Sequence, residues 1–162
     1  MTVVCRNAFD ERGEVMSIVE LGPLLPSTSV QVEARYYEID ANGHVTHGAY
    51  LNWAEHARFE YLRESGVNIR DLTAAGFGPV ILEMTLKFGR EIRVGESVTV
   101  TVEIARWEGT TFEVRHNFTP AGHERPAASC TVVMGLLDHE TRRLRPTPLL
   151  DLAKVARAGS NA

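Results

Sequence analysis

Residues 35–55 read Arg35-Tyr-Tyr-Glu-Ile-Asp40-Ala-Asn42-Gly-His44-Val-Thr-His47-Gly-Ala-Tyr50-Leu-Asn-Trp53-Ala-Glu55. The stretch decides the fold because its periodicity changes midway. It starts as the end of an extended segment over residues 30–38, rich in Val and Tyr, and passes through the turn-forming run Asp40-Ala-Asn42-Gly43. It then becomes a helix. Tyr50, Trp53, Ala54, Ala57 and Tyr61 fall at i, i+3, i+4, i+7 and i+11, one apolar stripe at a 3.6-residue period. Asn52, His56, Glu60 and Arg63 lie opposite, and Gly66 is placed to stop the helix at C′. Counted from Gly48, the helix is on the order of 25 Å long at ~1.5 Å per residue. Its leading half is the more apolar, so the N-terminal end is the one expected to be buried.

Downstream of the Gly76-Phe-Gly-Pro79 breaker the alternation switches to period two. Residues 80–90, 97–106, 110–119 and 127–138 are strand candidates rich in Val, Ile, Thr and Phe. Gly95, Gly109 and Pro120-Ala-Gly122 punctuate them, and Glu108-Gly109 predicts a tight hairpin. One strand, one long helix and four consecutive strands give an α+β protein: an antiparallel curved sheet wrapped around one central helix. Residues 1–29 read as an N-terminal extension with a short strand at 16–21, residues 30–148 as the domain, and residues 149–162 as a C-terminal tail that opens on an amphipathic stretch.

The chain has 162 residues, 44% of them hydrophobic and 23% charged, which suits one globular domain and no disordered or coiled-coil architecture. A net charge of −4 supplies no basic footprint for nucleic acid or an anionic membrane. No signal peptide and no membrane-spanning apolar run are apparent, so a cytoplasmic location is expected. Cys5 and Cys130 show neither a disulfide framework nor zinc spacing.

The helix start is where chemistry is expected. A helix N-terminus presents unpaired N–H groups and about half a positive charge, suited to an oxygen developing negative charge. Asp40, Asn42 and His44 bring a carboxylate, an amide and an imidazole to within five residues just before it. Carboxylate, orienting groups and oxyanion donors together form the constellation that acyl transfer requires. The same residues have plainer readings. Asp-Ala-Asn-Gly is a good turn in itself, His47 can cap the helix, and Tyr50 and Trp53 can be core rather than the wall of an acyl pocket. His44-x-x-His47 with His56 or Glu55 lacks a fixed third ligand, so no metal is expected. Cys130 reads as a small core residue. No Gly-x-Ser-x-Gly elbow, phosphate loop or dinucleotide fingerprint is present.

The loop Asp40-x-Asn42-x-His44-Val, followed by Tyr50, Trp53 and Glu55, resembles the hotdog-fold acyl thioesterases of the 4-hydroxybenzoyl-CoA thioesterase superfamily, most of all the acyl-ACP thioesterase branch and its short bacterial relatives. The resemblance covers about residues 30–148 and includes the ending Arg-Arg-Leu-Arg-Pro-Thr-Pro. It implies Asp40 as nucleophile or general base, with Asn42 and His44 positioning water or the carboxylate. It also implies an oxyanion-binding N–H around Gly48, Ala49 and Tyr50. Thr46-His47 stands where the acyl-ACP branch has two asparagines, and His47 matches a histidine of the bacterial acyl-CoA branch. The carrier, CoA or acyl carrier protein, therefore stays open. Glu55 corresponds to the helix carboxylate of a second hotdog subclass. No cofactor is implied, and subunits of such proteins pair edge to edge as homodimers or homotetramers. Two alternatives stand beside this reading: an enoyl hydratase or dehydratase on the same fold, and an acyl-binding module without turnover.

Overall fold

The computed structural model describes Leu24 and residues 27–159, so the strand expected at 16–21 lies outside the described residues. In chain order the elements are β1 (Thr28–Glu33), a single 3-10 turn (Tyr36–Glu38), α1 (His47–Glu64), α2 (Ile69–Ala74), β2 (Phe77–Phe88), β3 (Ser97–Glu108), β4 (Thr111–Pro120), β5 (Ala128–Asp138) and α3 (Pro148–Gly159). The strands form one antiparallel sheet in the order β1-β3-β4-β5-β2.

The period-two pattern decides which side of the sheet is wet. Val98, Val100, Val102 and Ile104 of β3 alternate with more exposed neighbours, as do Phe112, Val114, His116 and Phe118 of β4. Cys130, Val132, Met134 and Leu136 continue that inner face on β5. Each fully buried Val, Leu or Phe contributes roughly 1.5–3 kcal/mol, which pins the register, since a one-residue slip would turn the whole set outward.

Helix α1 lays its apolar stripe on this face. Ala49, Tyr50, Trp53, Ala54, Ala57 and Tyr61 are all buried, and the Tyr50 ring meets Trp53, Phe88 and Phe118 at centroid distances of 5.1–5.5 Å. Burial runs the length of the helix instead of favouring its leading end. The second half turns inward too, and it carries Arg58 into the core. Ser65 ends the helix, and Gly66 follows at φ 76°, the left-handed conformation that glycine adopts without strain.

Three boundaries differ from expectation. The extended segment expected over residues 30–38 is a strand only at Thr28–Glu33, and Tyr36–Glu38 form a 3-10 turn. Phe77, Gly78 and Pro79 already pair with β5, inside the run expected to break the chain. Proline is tolerated there because β2 is an edge strand. The segment expected as a tail begins as α3, with Leu149, Leu152, Ala153 and Ala156 buried. Arg145 holds α3 through Asp151 at 2.9 Å while its guanidinium stacks 5.4 Å over the Phe77 ring.

Candidate active site

The loop between β1 and α1 is a small braced hairpin. Ile39 and Val45 form an isolated antiparallel bridge, and the Asp40 N–H donates to the His44 carbonyl at 2.9 Å. Gly43, at φ 81°, allows the chain to reverse and returns its N–H to the Asp40 carbonyl at 3.0 Å. The loop is fastened on both sides: the Val45 N–H donates to the Ile92 carbonyl and the Thr46 N–H to the Glu38 carbonyl, each at 2.8 Å.

Within this hairpin the Asp40 carboxylate is oriented by its neighbours. Oδ1 accepts the Asn42 N–H at 2.8 Å, and Oδ2 faces His44 Nδ1 at 3.5 Å. Partial desolvation favours the protonated acid, but the Asn42 N–H and the His44 imidazole outweigh it. The carboxyl is therefore held below the usual aspartate range. Asp40 and His44 are about one-third exposed, and Asn42 is open to solvent. The structure thus brings Asp40, Asn42 and His44 together, and Asn42 contributes its backbone N–H to the carboxylate.

Thr46, not His47, caps α1: its hydroxyl accepts the Ala49 N–H at 3.4 Å, and its carbonyl accepts the same N–H at 3.1 Å. His47 is the first helical residue and is exposed. With Ala49 engaged by the cap, the N–H groups of His47 and Gly48 have no protein acceptor among the described residues. They point out of the positive end of the helix. Tyr50 and Trp53 lie beneath, 1% and 5% exposed, as floor of the site and part of the core. Burial pushes the Tyr50 phenol up to about 12, so it stays neutral.

Sequence reasoning missed Glu38. It is buried, its Oε2 accepts the Arg35 N–H at 2.8 Å and its Oε1 accepts the Trp53 indole N–H at 2.9 Å. The carboxylate therefore ties the strand end to the helix across the Asp40 loop. A glutamate in the short Tyr-Tyr-Glu-Ile run, two residues before the aspartate, was the available signal. Among the other candidates, Glu55 is exposed on α1 beside a cavity between that helix and the sheet. Burial raises the Cys130 thiol and keeps it protonated, unsuited to nucleophilic attack. No group of three metal-ligating side chains occurs among the described residues, and no helix among them is long and apolar enough to cross a membrane.

A five-stranded antiparallel sheet with few helices matches the hotdog fold of solved thioesterases. The DHNA-CoA thioesterase of Staphylococcus aureus superposes with a TM-score of 0.70 at 19% identity, covering 83% of this chain and 93% of that one. Slr0204, a 1,4-dihydroxy-2-naphthoyl-CoA thioesterase from Synechocystis, superposes with a TM-score of 0.71 at 14% identity, covering 80% of this chain and 96% of that one. Residues 34–157 match the model of the thioesterase-like superfamily, and the chain belongs to that family. The acyl-acyl carrier protein thioesterase ATL3 of Arabidopsis thaliana chloroplasts is 27% identical over 116 residues, 72% of this chain; the chain spans 61% of that relative's length.

Proposed function

We propose that the protein hydrolyses an acyl thioester, carried on CoA or an acyl carrier protein, with Asp40 as the reacting carboxylate. The observation that carries this reading is the Asp40 carboxylate held ionised on a braced loop that leads directly into the open N-terminus of α1. In one route Asp40 adds to the thioester carbonyl carbon, the C–S bond breaks, the thiolate leaves and takes a proton, and water then opens the resulting anhydride. In the other, Asp40 takes a proton from water as the water oxygen adds to that carbon; the tetrahedral adduct then collapses, the C–S bond breaks, and the leaving thiolate takes the proton back from Asp40, giving free acid and thiol. Both routes put negative charge on the former carbonyl oxygen, where the Gly48 N–H stabilises it. Asn42 and His44 hold the carboxylate in line, His47 meets the carrier side of the thioester, and Ala49, Tyr50 and Trp53 keep the helix end rigid. No cofactor enters either route.

The proposal includes a homodimer. Among the described residues both edges of the sheet, β1 and β2, lack a partner strand, and β2 exposes Ile81, Leu82 and Phe88. Pairing through β2 would satisfy its open backbone groups and cover those side chains.

Thiol release followed with a colorimetric thiol reagent, over benzoyl-, phenylacetyl-, short-, medium- and long-chain acyl-CoA, tests the reading. Hydrolysis that depends on Asp40 is expected for at least one member. Hydrolysis undiminished in Asp40→Asn would remove Asp40 from the mechanism. Folded protein silent on the whole panel and on an acyl carrier protein thioester would remove the thioesterase reading.

A further inference from the structure

One cation in the core has no anion beside it. Arg58, on the inner face of α1, is 8% exposed, and no carboxylate among the described residues reaches its guanidinium. Among the described residues its one hydrogen bond joins Nη1 to Nε2 of His116 at 3.3 Å. For a guanidinium to donate there, Nε2 must be the bare nitrogen, which puts the imidazole proton on Nδ1 and leaves the ring neutral. Nδ1 itself is buried without a hydrogen-bond partner. Neutrality agrees with the surroundings: burial, then the Arg58 charge, push His116 down to about 3.

The other groups near Arg58 supply no counter-charge. The Cys130 thiol, paired in register with His116, is held protonated by burial. Glu55, one turn back along α1, acts on Arg58 only at longer range and faces solvent, where its field is screened. A buried cation with one donor engaged among the described residues is expensive unless something else engages it.

Arg58 also lines a cavity. The space between α1 and the sheet has a volume of about 140 Å³ and is walled mainly by apolar side chains, among them Leu62, Val102, Phe112 and Met134. Tyr61 lines it too, and its hydroxyl is buried with only the Ser65 side chain as a polar neighbour among the described residues. A dry cavity of ~150 Å³ accommodates benzene, which sets the size of what fits.

We propose that this cavity is a binding site for an apolar carboxylate of about the size of benzoate or hexanoate, its carboxylate paired with the Arg58 guanidinium and hydrogen-bonded by the Tyr61 hydroxyl. Arg58 lies ten residues along α1 from Gly48, roughly 15 Å at ~1.5 Å per residue, so within one chain the cavity is distinct from the Asp40 loop. Two sources carry this chemistry: a free acid, and the distal carboxylate of an acyl thioester presented by a second copy.

Binding decides the site and requires no turnover. Isothermal titration of the full chain with benzoate and hexanoate is expected to show both binding, and benzyl alcohol and hexanol binding about ten- to hundredfold more weakly. Arg58→Met should abolish the preference for the acids, Arg58→Lys should restore part of it, and Tyr61→Phe should weaken the acids alone. Acids and alcohols bound equally well, or a preference that survives Arg58→Met, would overturn the proposal. So would a wild-type chain that binds neither acid. Should Arg58→Met not fold, Arg58→Lys and Tyr61→Phe carry the same comparison. The source is then read from turnover. Adipoyl-CoA hydrolysed about tenfold faster than hexanoyl-CoA by wild type, with the difference lost in Arg58→Lys, assigns the site to the acyl end. Equal rates alongside tight binding of the acids assign it to the free acid. Absence of all turnover bears on the thioesterase reading and leaves the binding result standing.

Discussion

The indole N–H of Trp53 donates to Glu38 Oε1 at 2.9 Å, so the buried first turns of α1 are tied to the residue two positions ahead of Asp40. The other oxygen of the same carboxylate holds the Arg35 N–H at 2.8 Å. One side chain thus joins the end of the strand segment, the loop and the helix. Glu38→Ala leaves one buried and one part-buried donor unpaired and is expected to cost about 2–3 kcal/mol, with a matching fall in Tm by calorimetry. Thiol release should fall with it because the Asp40 loop loses its brace. Unchanged stability would show that the loop is held elsewhere.

Asp40→Asn keeps the shape of the loop and still accepts the Asn42 N–H, so the unfolding free energy should stay within about 0.5 kcal/mol of wild type. Turnover should drop by about 10²–10⁴-fold, measured as thiol release on the best substrate. The pH profile supplies a second check. A carboxyl held below its ordinary range stays ionised as pH falls, so the acid limb of kcat/KM should lie below the usual aspartate range. An acid limb between about pH 5 and 6 would point to a different group.

His116 predicts a pH-dependent stability. Its folded value is pushed down to about 3 from an ordinary value of 6.5. The neutral ring therefore stabilises the fold fully above about pH 6.5, and that contribution is lost progressively as pH falls toward 3. Urea unfolding between pH 7 and 4 should show wild type losing stability faster than His116→Gln, which has no proton to take up. Parallel slopes for the two would mean that the ring is not held neutral.

Leu82 stands on the open edge of the sheet, 50% exposed, at the irregularity between Ile81 and Glu83 where β2 slips its register on β5. Leu82→Asp places a charge in the surface proposed to pair two copies. Sedimentation at micromolar concentration should show a dimer for wild type and a monomer for the variant, with Tm of the isolated fold little changed. A monomeric wild type would remove the pairing from the functional reading.

Periodicity made most of the architecture legible. Five of the seven buried positions of α1 and the four consecutive strands follow from spacings of 3.6 and 2, because burial of one face is a local property of each element. The carboxylate, amide and imidazole of Asp40, Asn42 and His44 were legible for a similar reason: they fall within one turn of chain, so their meeting needs no tertiary contact. Arg58 and His116 were not legible as a pair. They are 58 residues apart, and each looks like a solvated polar residue until the sheet is laid on the helix. The alternation Phe112, Val114, His116, Phe118 was the available signal for the histidine, yet nothing in it named the arginine opposite.

Short-range spacing and turn residues were enough for α1, the four consecutive strands and the loop that carries the proposed chemistry. Packing decided that residues 77–79 join β2, that the expected tail forms α3, that Glu38 fastens the loop to Trp53, that Thr46 rather than His47 caps the helix, and that Arg58 is buried beside an apolar cavity with no anion among the described residues. Each of those facts depends on which side chains meet once the core closes. Distance along the chain does not encode that, because desolvation and hydrogen-bond partners are supplied by whichever element packs opposite.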